Sequence, residues 1–184
     1  MDAICEAHEC EGHTGKPDFS ASIECLKNAV KSRKLRIAEI GFNAGHSSET
    51  LLSNSSQDST LHSFDICTHP YVSEAETVIT TAFPGRFELT CGDSAATVPA
   101  FVGDKFDVVH VDGGHSYERA YGDIMNMKKH SHAGTRLIVD DCNPNGNASC
   151  PDVQKAWDDV VSQGHVRVDH CQGSTNSCAG YFIF

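Results

Sequence analysis

Asp107-Val-Val-His-Val-Asp-Gly-Gly-His-Ser116 is the stretch that decides the fold of this 184-residue chain. Its mostly apolar run lacks clean alternation, which is typical of a strand buried on both faces of a parallel sheet. The two glycines then let the backbone turn, so Asp112 and His115 fall at the carboxyl end of that strand. Because ligands bind at this edge of open α/β sheets, the stretch predicts the place of a functional site as well as a strand.

A second apolar run downstream ends in the same way. Arg136-Leu-Ile-Val139 leads directly into Asp140 and Asp141. The carboxyl ends of neighbouring parallel strands meet at one edge of a sheet. We therefore expect three carboxylates and the imidazole of His115 at a common edge. The alternative that stays open is that these side chains only cap turns.

A glycine turn and an acid stand near the start of the chain. The strand predicted at 35–40 enters Gly41-Phe-Asn-Ala-Gly45, whose spacing differs from the G-x-G-x-x-G of dinucleotide folds. The next strand, 60–64, ends on Asp65, twenty residues after Gly45. An acid in this position is placed to accept the ribose hydroxyls of an adenosine. The alternative is that Asp65 caps the following helix.

The remaining pattern predicts an α/β fold with a Rossmann-like seven-stranded sheet, mostly parallel, and with helices on both faces. Two strands at the end of the chain are expected to form an antiparallel hairpin. Residues 1–18 are predicted as a polar arm and 19–184 as a single domain. The predicted helices are 19–32, 46–52, 71–83, one after Asp112 and one from Pro151 to Gly164; the other predicted strands are 86–91, 165–169 and 180–184.

The N-terminal arm contains Cys5, His8, Cys10 and His13, all side chains that can bind zinc. Four ligands packed so closely on one short segment would hardly close a tetrahedron. A mobile arm is therefore preferred to a structural zinc site.

The chain has nine cysteines, an odd number that cannot all pair within one monomer. A parallel α/β core needs no disulfides, so we expect mostly free thiols in a reducing compartment. A secreted form with pairs such as Cys142–Cys150 or Cys171–Cys178 stays open as the alternative.

Composition limits the class of partner. The formal net charge is −11, with 14 basic and 25 acidic side chains, and no basic patch of the kind that binds nucleic acid stands out. No apolar stretch approaches the roughly 20 residues of a membrane span, and the N-terminus lacks a signal pattern. We expect a cytoplasmic protein with a small-molecule partner, without nucleic acid or membrane.

Over residues 20–184 the sequence resembles the class I S-adenosylmethionine-dependent methyltransferases. Two motifs, Asp112-Gly-Gly-His-Ser-Tyr-Glu118 and Asp152-Val-Gln-Lys-Ala-Trp157, more specifically resemble the group called methyltransferase type 24, which is related to metal-dependent O-methyltransferases. The broader resemblance is carried by Glu39-Ile-Gly41-Phe-Asn-Ala-Gly45-His-Ser47, Phe64-Asp65, Gly92-Asp93-Ser94, Val111-Asp112-Gly-Gly-His115 and Ile138-Val-Asp140-Asp141.

The resemblance implies a role for each matching residue. Asp112, Asp140 and Asp141 would hold a divalent cation, Mg²⁺ first, because carboxylates without a thiolate favour hard cations. His115 would be the general base beside Asp112. The implied contacts with S-adenosylmethionine come from Glu39, Gly41, Asn43, Gly45 and Ser47 at the methionine end, Asp65 at the ribose, Asp93 and Ser94 at the adenine, and Asp112.

The function predicted from the sequence is metal-assisted O-methylation of a small molecule with adjacent oxygens. Two alternatives stay open: a metal-independent N-methyltransferase, and a cofactor-binding or metal-binding module without turnover. Relatives usually roof the acceptor with extra N-terminal helices, whereas this chain offers a short arm. The acceptor cleft is therefore expected to be open or completed by a second subunit, which leaves a homodimer open.

Overall fold

The computed structural model describes residues 1–8, 10, 17–31, 33–143, 145, 148–170 and 176–184, with the backbone alone for 17–23. These residues form seven helices and seven strands. In chain order they are α1 (Asp2–His8), α2 (Pro17–Val30), β1 (Arg36–Ile40), α3 (His46–Asn54), β2 (Thr60–Asp65), α4 (Val72–Ala82), β3 (Phe87–Cys91), α5 (Ser94–Ala100), β4 (Phe106–Val111), α6 (Tyr117–Lys129), β5 (Ser131–Asp140), α7 (Pro151–Ser162), β6 (Val166–Asp169) and β7 (Ser177–Phe182).

The strands form one sheet in the order β3-β2-β1-β4-β5-β7-β6. Neighbours from β3 to β5 pair in parallel, whereas β7 pairs antiparallel with both β5 and β6. The predicted fold class, including the C-terminal antiparallel strands, is confirmed. Strands β1 and β4 lie side by side at the centre, so the loops that follow them meet at one edge of the sheet.

Each face of the sheet carries its own apolar layer. One layer draws its helical residues from α1 to α4 and includes Val108 and Ile37. The other draws on α5, α6 and α7 and includes Val109 and Trp157. Val108 and Val109 are both fully buried although they point to opposite faces, as expected for a strand covered on both sides. No helix in the described part of the chain is long and apolar enough to cross a membrane.

Several boundaries differ from the sequence prediction. Strand β5 starts at Ser131 instead of 136, because a register shift between Phe106 and Val108 lets it pair on both sides of Gly134, whose φ is +103°. A short helix, α5, was not predicted, since Pro99 lies inside it; the Asp93 side chain caps it by accepting from the Ala95 amide.

The described beginning of the N-terminal arm contains a helix that the sequence analysis did not predict. Asp2–His8 is a helix whose Ile4 and Cys5 are buried in the first apolar layer. Cys5 and Cys10 form a disulfide, which removes both thiols from the set of metal ligands predicted for the arm. His13 lies outside the described residues.

The preference for free thiols is wrong. Cys67 pairs with Cys91 and Cys142 with Cys178, each with 5.4 Å between Cα atoms, and Cys25 is disulfide-bonded as well. The alternative pairing that joined Cys142 to Cys150 is also corrected. The pairs follow from the sheet: Cys67 and Cys91 lie where adjacent β2 and β3 end, and Cys142 follows the strand that pairs with β7. Cys150 is a free thiol.

Candidate functional site

A cleft of about 370 Å³ lies at the carboxyl ends of β1, β2, β3 and β4. Sequence reasoning predicted this edge from the polar residues that follow each strand. The cleft brings together six of the residues predicted to contact a cofactor: Gly41, Asn43, Asp65, Asp93, Ser94 and Asp112. Its full lining is Ile40, Gly41, Asn43, Phe64, Asp65, Ile66, His69, Gly92, Asp93, Ser94, Asp112, Gly113, Gly114 and Arg119.

The glycine turn after β1 forms one wall of the cleft. Gly41 has φ +94°, and a β-carbon there would lie 1.9 Å from the carbonyl oxygen of Asp112. The Gly41 amide donates to the Phe64 carbonyl at 2.8 Å, and the Asp112 amide donates to the Ile40 carbonyl at 2.8 Å. Only glycine permits this approach, so the first glycine of the turn joins the ends of three strands.

Asp65 ends β2 and holds two loops in place. One carboxylate oxygen accepts from the Asn43 amide at 2.9 Å, and the other accepts from the Cys67 amide at 2.6 Å. An ionised carboxylate offers about four acceptor positions, so Asp65 keeps free positions that face the cleft. The adjacent Cys67–Cys91 disulfide ties the end of β2 to the end of β3.

Asp93 is bound by a residue that sequence reasoning missed. The guanidinium of Arg119 donates to both carboxylate oxygens of Asp93, one bond measuring 3.0 Å. This pairing, together with the Ala95 amide, lowers the pKa of Asp93. Arg119 lies in the first turn of α6, directly after the glycine turn of β4. The sequence position of Arg119 could have indicated this role, because a basic side chain in the first helical turn after the glycines lies near the cleft.

Asp123, on α6 behind the cleft wall, is 2% exposed. Burial raises the pKa of its carboxyl, while a hydrogen bond with the Ser94 side chain opposes the shift. A β-carbon on Gly113 would lie 3.2 Å from an Asp123 oxygen. The buried carboxyl therefore braces both Ser94 and the glycine turn from behind.

Asp112 carries the most perturbed carboxyl of the cleft. Burial first, and then the negative charge of Asp140, raise the pKa of Asp112 to about 7. His110 acts in the opposite direction, and Asp141 adds to the increase. The two strand ends therefore do bring their carboxylates close enough to repel one another.

His115, Asp141 and Cys150 form a tighter group beside this cleft. The Nε2 atom of His115 lies 3.0 Å from a carboxylate oxygen of Asp141. One ligand atom from each of the three side chains lies within 4.8 Å of the other two. Burial and the charge of Asp141 raise the pKa of the Cys150 thiol. Sequence reasoning missed Cys150, which directly precedes the Pro151 that begins α7.

The three carboxylates predicted to bind a metal do not form such a group. Within the described ranges, His115, Asp141 and Cys150 are the only three His, Cys, Asp or Glu side chains that meet this distance. Asp140 instead accepts a 2.6 Å hydrogen bond from the Ser177 hydroxyl. Asp141 has φ +56° and accepts from the side chains of Ser149 and Asn176. Its carboxylate is therefore held by different partners from the carboxylate of Asp140.

Glu39, Gly45 and Ser47, predicted at the methionine end, are not part of the cleft lining. Glu39 is fully buried between strands, where its carboxylate accepts from the hydroxyls of Ser48 and Ser63. Gly45 is packed against Phe42 and Ile79. A β-carbon on Gly45 would lie 3.1 Å from the Phe42 ring and 3.2 Å from the Ile79 side chain, which is a tight contact. These residues support the turn from behind.

His110 faces the buried Glu39, with 3.5 Å between His110 Nδ1 and a Glu39 oxygen. Burial lowers the pKa of His110, but the carboxylates of Glu39 and Asp112 outweigh it, so the net shift is upward.

Comparison with known proteins gives a consistent result. A model of the family described as "Methyltransferase domain" matches residues 38–142. A search of curated protein sequences found no match.

Solved structures resemble the chain over nearly its whole length. The O-methyltransferase TomG from Streptomyces achromogenes, solved with S-adenosylmethionine, has 16% identity and a TM-score of 0.74, covering 100% of this chain and 87% of its own. An O-methyltransferase from Bacillus cereus, solved with S-adenosylhomocysteine, has 15% identity and a TM-score of 0.68, with 98% and 88% covered. An rRNA methylase from Streptococcus thermophilus has 10% identity and a TM-score of 0.65, with 94% and 100% covered. At these identities the likeness shows a common fold.

Proposed function

The chain belongs to the methyltransferase-domain family, and from that membership we propose that it transfers a methyl group from S-adenosylmethionine to a hydroxyl oxygen of a small molecule. The observation that carries the proposal is the cleft at the strand ends. It gathers Asp65, Asp93 and Asp112, to which the sequence resemblance gives roles in cofactor binding, around a single cavity. The proposed acceptor is small because a chain of net charge −11 would repel nucleic acid.

The residues of the cleft suit the parts of the cofactor. Asp65 retains acceptor positions for the two ribose hydroxyls, because its present bonds use only part of the carboxylate. Ile66 lines the same region with an apolar side chain against which a base can pack. When bound, S-adenosylmethionine supplies an electrophilic methyl group on a positively charged sulfur, and that positive charge would favour the ionised form of Asp112 on the cleft wall.

His115 is the proposed general base. Asp141 lies 3.0 Å from Nε2 and holds the proton on that nitrogen, which leaves Nδ1 free to take the proton of the acceptor hydroxyl. As the oxygen loses its proton to Nδ1, Asp141 stabilises the imidazolium that forms. With a side chain that is 61% exposed, His115 can be reached by an acceptor that enters from solvent.

The Mg²⁺ that the resemblance implies fits these residues poorly. Burial is the main cause of the raised pKa of Asp112, and the neighbouring negative charges that add to it would be relieved by a cation. However, Asp112 and Asp140 lie outside the one close group of metal-ligating side chains that the described residues form. The poor fit of these residues to Mg²⁺ favours a second candidate function, a methyltransferase that works without a metal.

Calorimetry with S-adenosylhomocysteine tests the proposal without an identified acceptor. We expect the wild type to bind, and Asp65→Ala to bind about 10-fold to 100-fold more weakly, because hydrogen bonds to a charged group contribute about 1.5–3 kcal/mol. Asp169→Ala, at the far end of the sheet, is the control and should bind as the wild type does. Absence of binding by the wild type would refute the proposed activity. Repeating the titration with Mg²⁺ and with EDTA separates the metal-assisted form from the metal-independent one.

A further inference from the structure

Three side chains from three separate segments meet beside the cleft. His115 belongs to the loop after β4, Asp141 to the end of β5, and Cys150 is the residue before α7. Their ligand atoms lie within 4.8 Å of one another. Cys150 is also the cysteine of the described chain that keeps a free thiol, while Cys142, next to Asp141, is fixed by its disulfide to Cys178.

The geometry of this group suits a small cation. Zinc lies about 2.0–2.2 Å from imidazole nitrogen and carboxylate oxygen, so two such ligands of a tetrahedral site stand about 3.4 Å apart. The observed separation of His115 Nε2 and Asp141 is 3.0 Å, which requires a shift of only a few tenths of an ångström, whereas the Cys150 sulfur, within 4.8 Å of both atoms, would move by at most about 1.2 Å. Asp141 is held toward this point by its left-handed backbone, with φ +56°, and by bonds from Ser149 and Asn176.

The chemistry of the donors selects the type of cation. One nitrogen, one oxygen and one sulfur ligand form a set typical of Zn²⁺ and neighbouring transition metals, whereas Mg²⁺ and Ca²⁺ take oxygen ligands. Three protein ligands also leave the fourth tetrahedral position open, as in zinc sites that bind water or a substrate. A purely structural zinc site would be closed by a fourth side chain.

We propose that His115, Asp141 and Cys150 form a binding site for one Zn²⁺-like transition-metal ion at the rim of the cleft. This site differs from the all-carboxylate Mg²⁺ site implied by the family resemblance in its donors and in its metal. Binding replaces the His115–Asp141 contact by two bonds to the ion, and the Cys150 thiol binds as the thiolate and releases its proton to solvent.

Metal binding at this site has a consequence for methyl transfer. This consequence rests on the proposed function, in which His115 is the base. An ion on Nε2 obliges the neutral imidazole to carry its proton on Nδ1. The nitrogen that we propose as the proton acceptor is then occupied. A bound Zn²⁺ therefore prevents His115 from acting as the base, so transition metals that bind at this site inhibit methyl transfer.

Titration with Co²⁺, a spectroscopic substitute for Zn²⁺, tests the site without any activity measurement. We expect the full chain, with disulfides intact and no reductant, to bind one Co²⁺ with a near-ultraviolet thiolate-to-cobalt band that Zn²⁺ abolishes by displacement. Cys150→Ser should lose that band. His115→Ala should bind Co²⁺ at least about tenfold more weakly, because even outer partners of metal ligands contribute about 10-fold to 100-fold.

The matched control is His132→Ala. His132 forms a comparable pair with Asp107, 3.1 Å apart, at the other end of β5, and it belongs to no close group of three metal ligands in the described chain. This variant should bind Co²⁺ as the wild type does. The proposal is overturned if the wild type binds no Co²⁺, or if the thiolate band survives in Cys150→Ser. Either result leaves the S-adenosylhomocysteine titration unaffected, so the proposed function is judged separately.

Discussion

A β-carbon on Gly41 would lie 1.9 Å from the carbonyl oxygen of Asp112, so the loops after β1 and β4 touch backbone to backbone. This contact closes one wall of the cleft, and it exists because the central strands β1 and β4 are neighbours in the sheet. The positions of Asp112 and the glycine turn are therefore coupled. A change to either loop is therefore expected to alter the affinity for the cofactor.

Gly41→Ala is predicted to abolish binding of S-adenosylhomocysteine. The left-handed backbone, with φ +94°, would cost roughly 1–3 kcal/mol in strain, and the contact with Asp112 adds to it. Calorimetry and thermal unfolding measure the two effects. Gly122→Ala is the control: no atom lies within 4 Å of its added β-carbon, and it should gain about 0.5–1 kcal/mol in helix α6. Normal binding by Gly41→Ala would contradict the role of the contact.

Arg119→Ala is predicted to raise the pKa of Asp93 toward its ordinary value, because Arg119 is the largest cause of the lowered pKa. Affinity for S-adenosylhomocysteine should fall about threefold or more, since the Asp93 carboxylate loses its fixed orientation. A carboxyl NMR titration and calorimetry measure these quantities. Arg167→Ala, on the edge strand β6, should change neither. An unaltered Asp93 pKa in Arg119→Ala would refute the pairing.

The Cys67–Cys91 disulfide is predicted to support cofactor affinity as well as stability. Its cysteines are next to the cleft residues Ile66 and Gly92. Removing the disulfide in a Cys67→Ser, Cys91→Ser double variant should lower the free energy of unfolding by about 3 kcal/mol, because the disulfide closes a loop of 24 residues.

The same double variant should bind S-adenosylhomocysteine more weakly than the wild type. The comparison is a Cys142→Ser, Cys178→Ser variant, which should lose similar stability but retain this affinity, because that disulfide lies on the side of β5 and β7. Equal affinities for both variants would show that the first disulfide is only structural.

Asp112→Asn is predicted to stabilise the protein above neutral pH. A carboxyl whose folded pKa is raised from 3.8 to about 7 stays protonated in the fold while it ionises in the unfolded chain. Stability contributed by this group is thus lost progressively as the pH rises from about 4 to about 7. At about 1.4 kcal/mol for each pH unit, the gain from Asp112→Asn at pH 8 is at most about 4 kcal/mol.

Thermal unfolding of the wild type and Asp112→Asn at pH 4 and pH 8 measures this pH dependence. The two proteins should differ at pH 8 and nearly converge at pH 4, where Asp112 is protonated in the fold and only about half ionised in the unfolded chain. A difference of the same size at both pH values would contradict the raised pKa.

His115→Ala is predicted to slow methyl transfer by about 10²–10⁴ on an acceptor that the wild type methylates, since this is the usual contribution of a general base. Asp141→Asn should slow it less, because it removes only the partner that orients His115. A His115→Ala enzyme with the wild-type rate would exclude the proposed base.

The positions of most strands along the chain, the polar residues at strand ends and the glycine turn were readable because each depends on local sequence pattern. Alternation, apolar runs and turn residues act over a few neighbours, so β1, β2 and β4 were predicted close to their observed bounds. The start of β5 escaped prediction because its pairing with β4 outweighed the local preference. Helix α5 escaped prediction because it is short and contains Pro99 near its end.

The site was predictable only in part. Asp65, Asp93 and Asp112 were identified because each directly follows a strand. Arg119 and Cys150 were not, because the closeness of Arg119 to Asp93 and of Cys150 to Asp141 depends on how separate segments pack together.

The sequence by itself determined that this chain forms a doubly covered α/β sheet with its acidic residues at one edge, because burial and turn formation depend on the order of residue types. Only the tertiary structure decided which of those residues touch. It placed Asp141 with His115 and Cys150 instead of with Asp112 and Asp140, and it paired cysteines that lie 24 and 36 residues apart. Side-chain direction and the distance between remote segments follow from how helices and strands dock, and no local pattern contains that information.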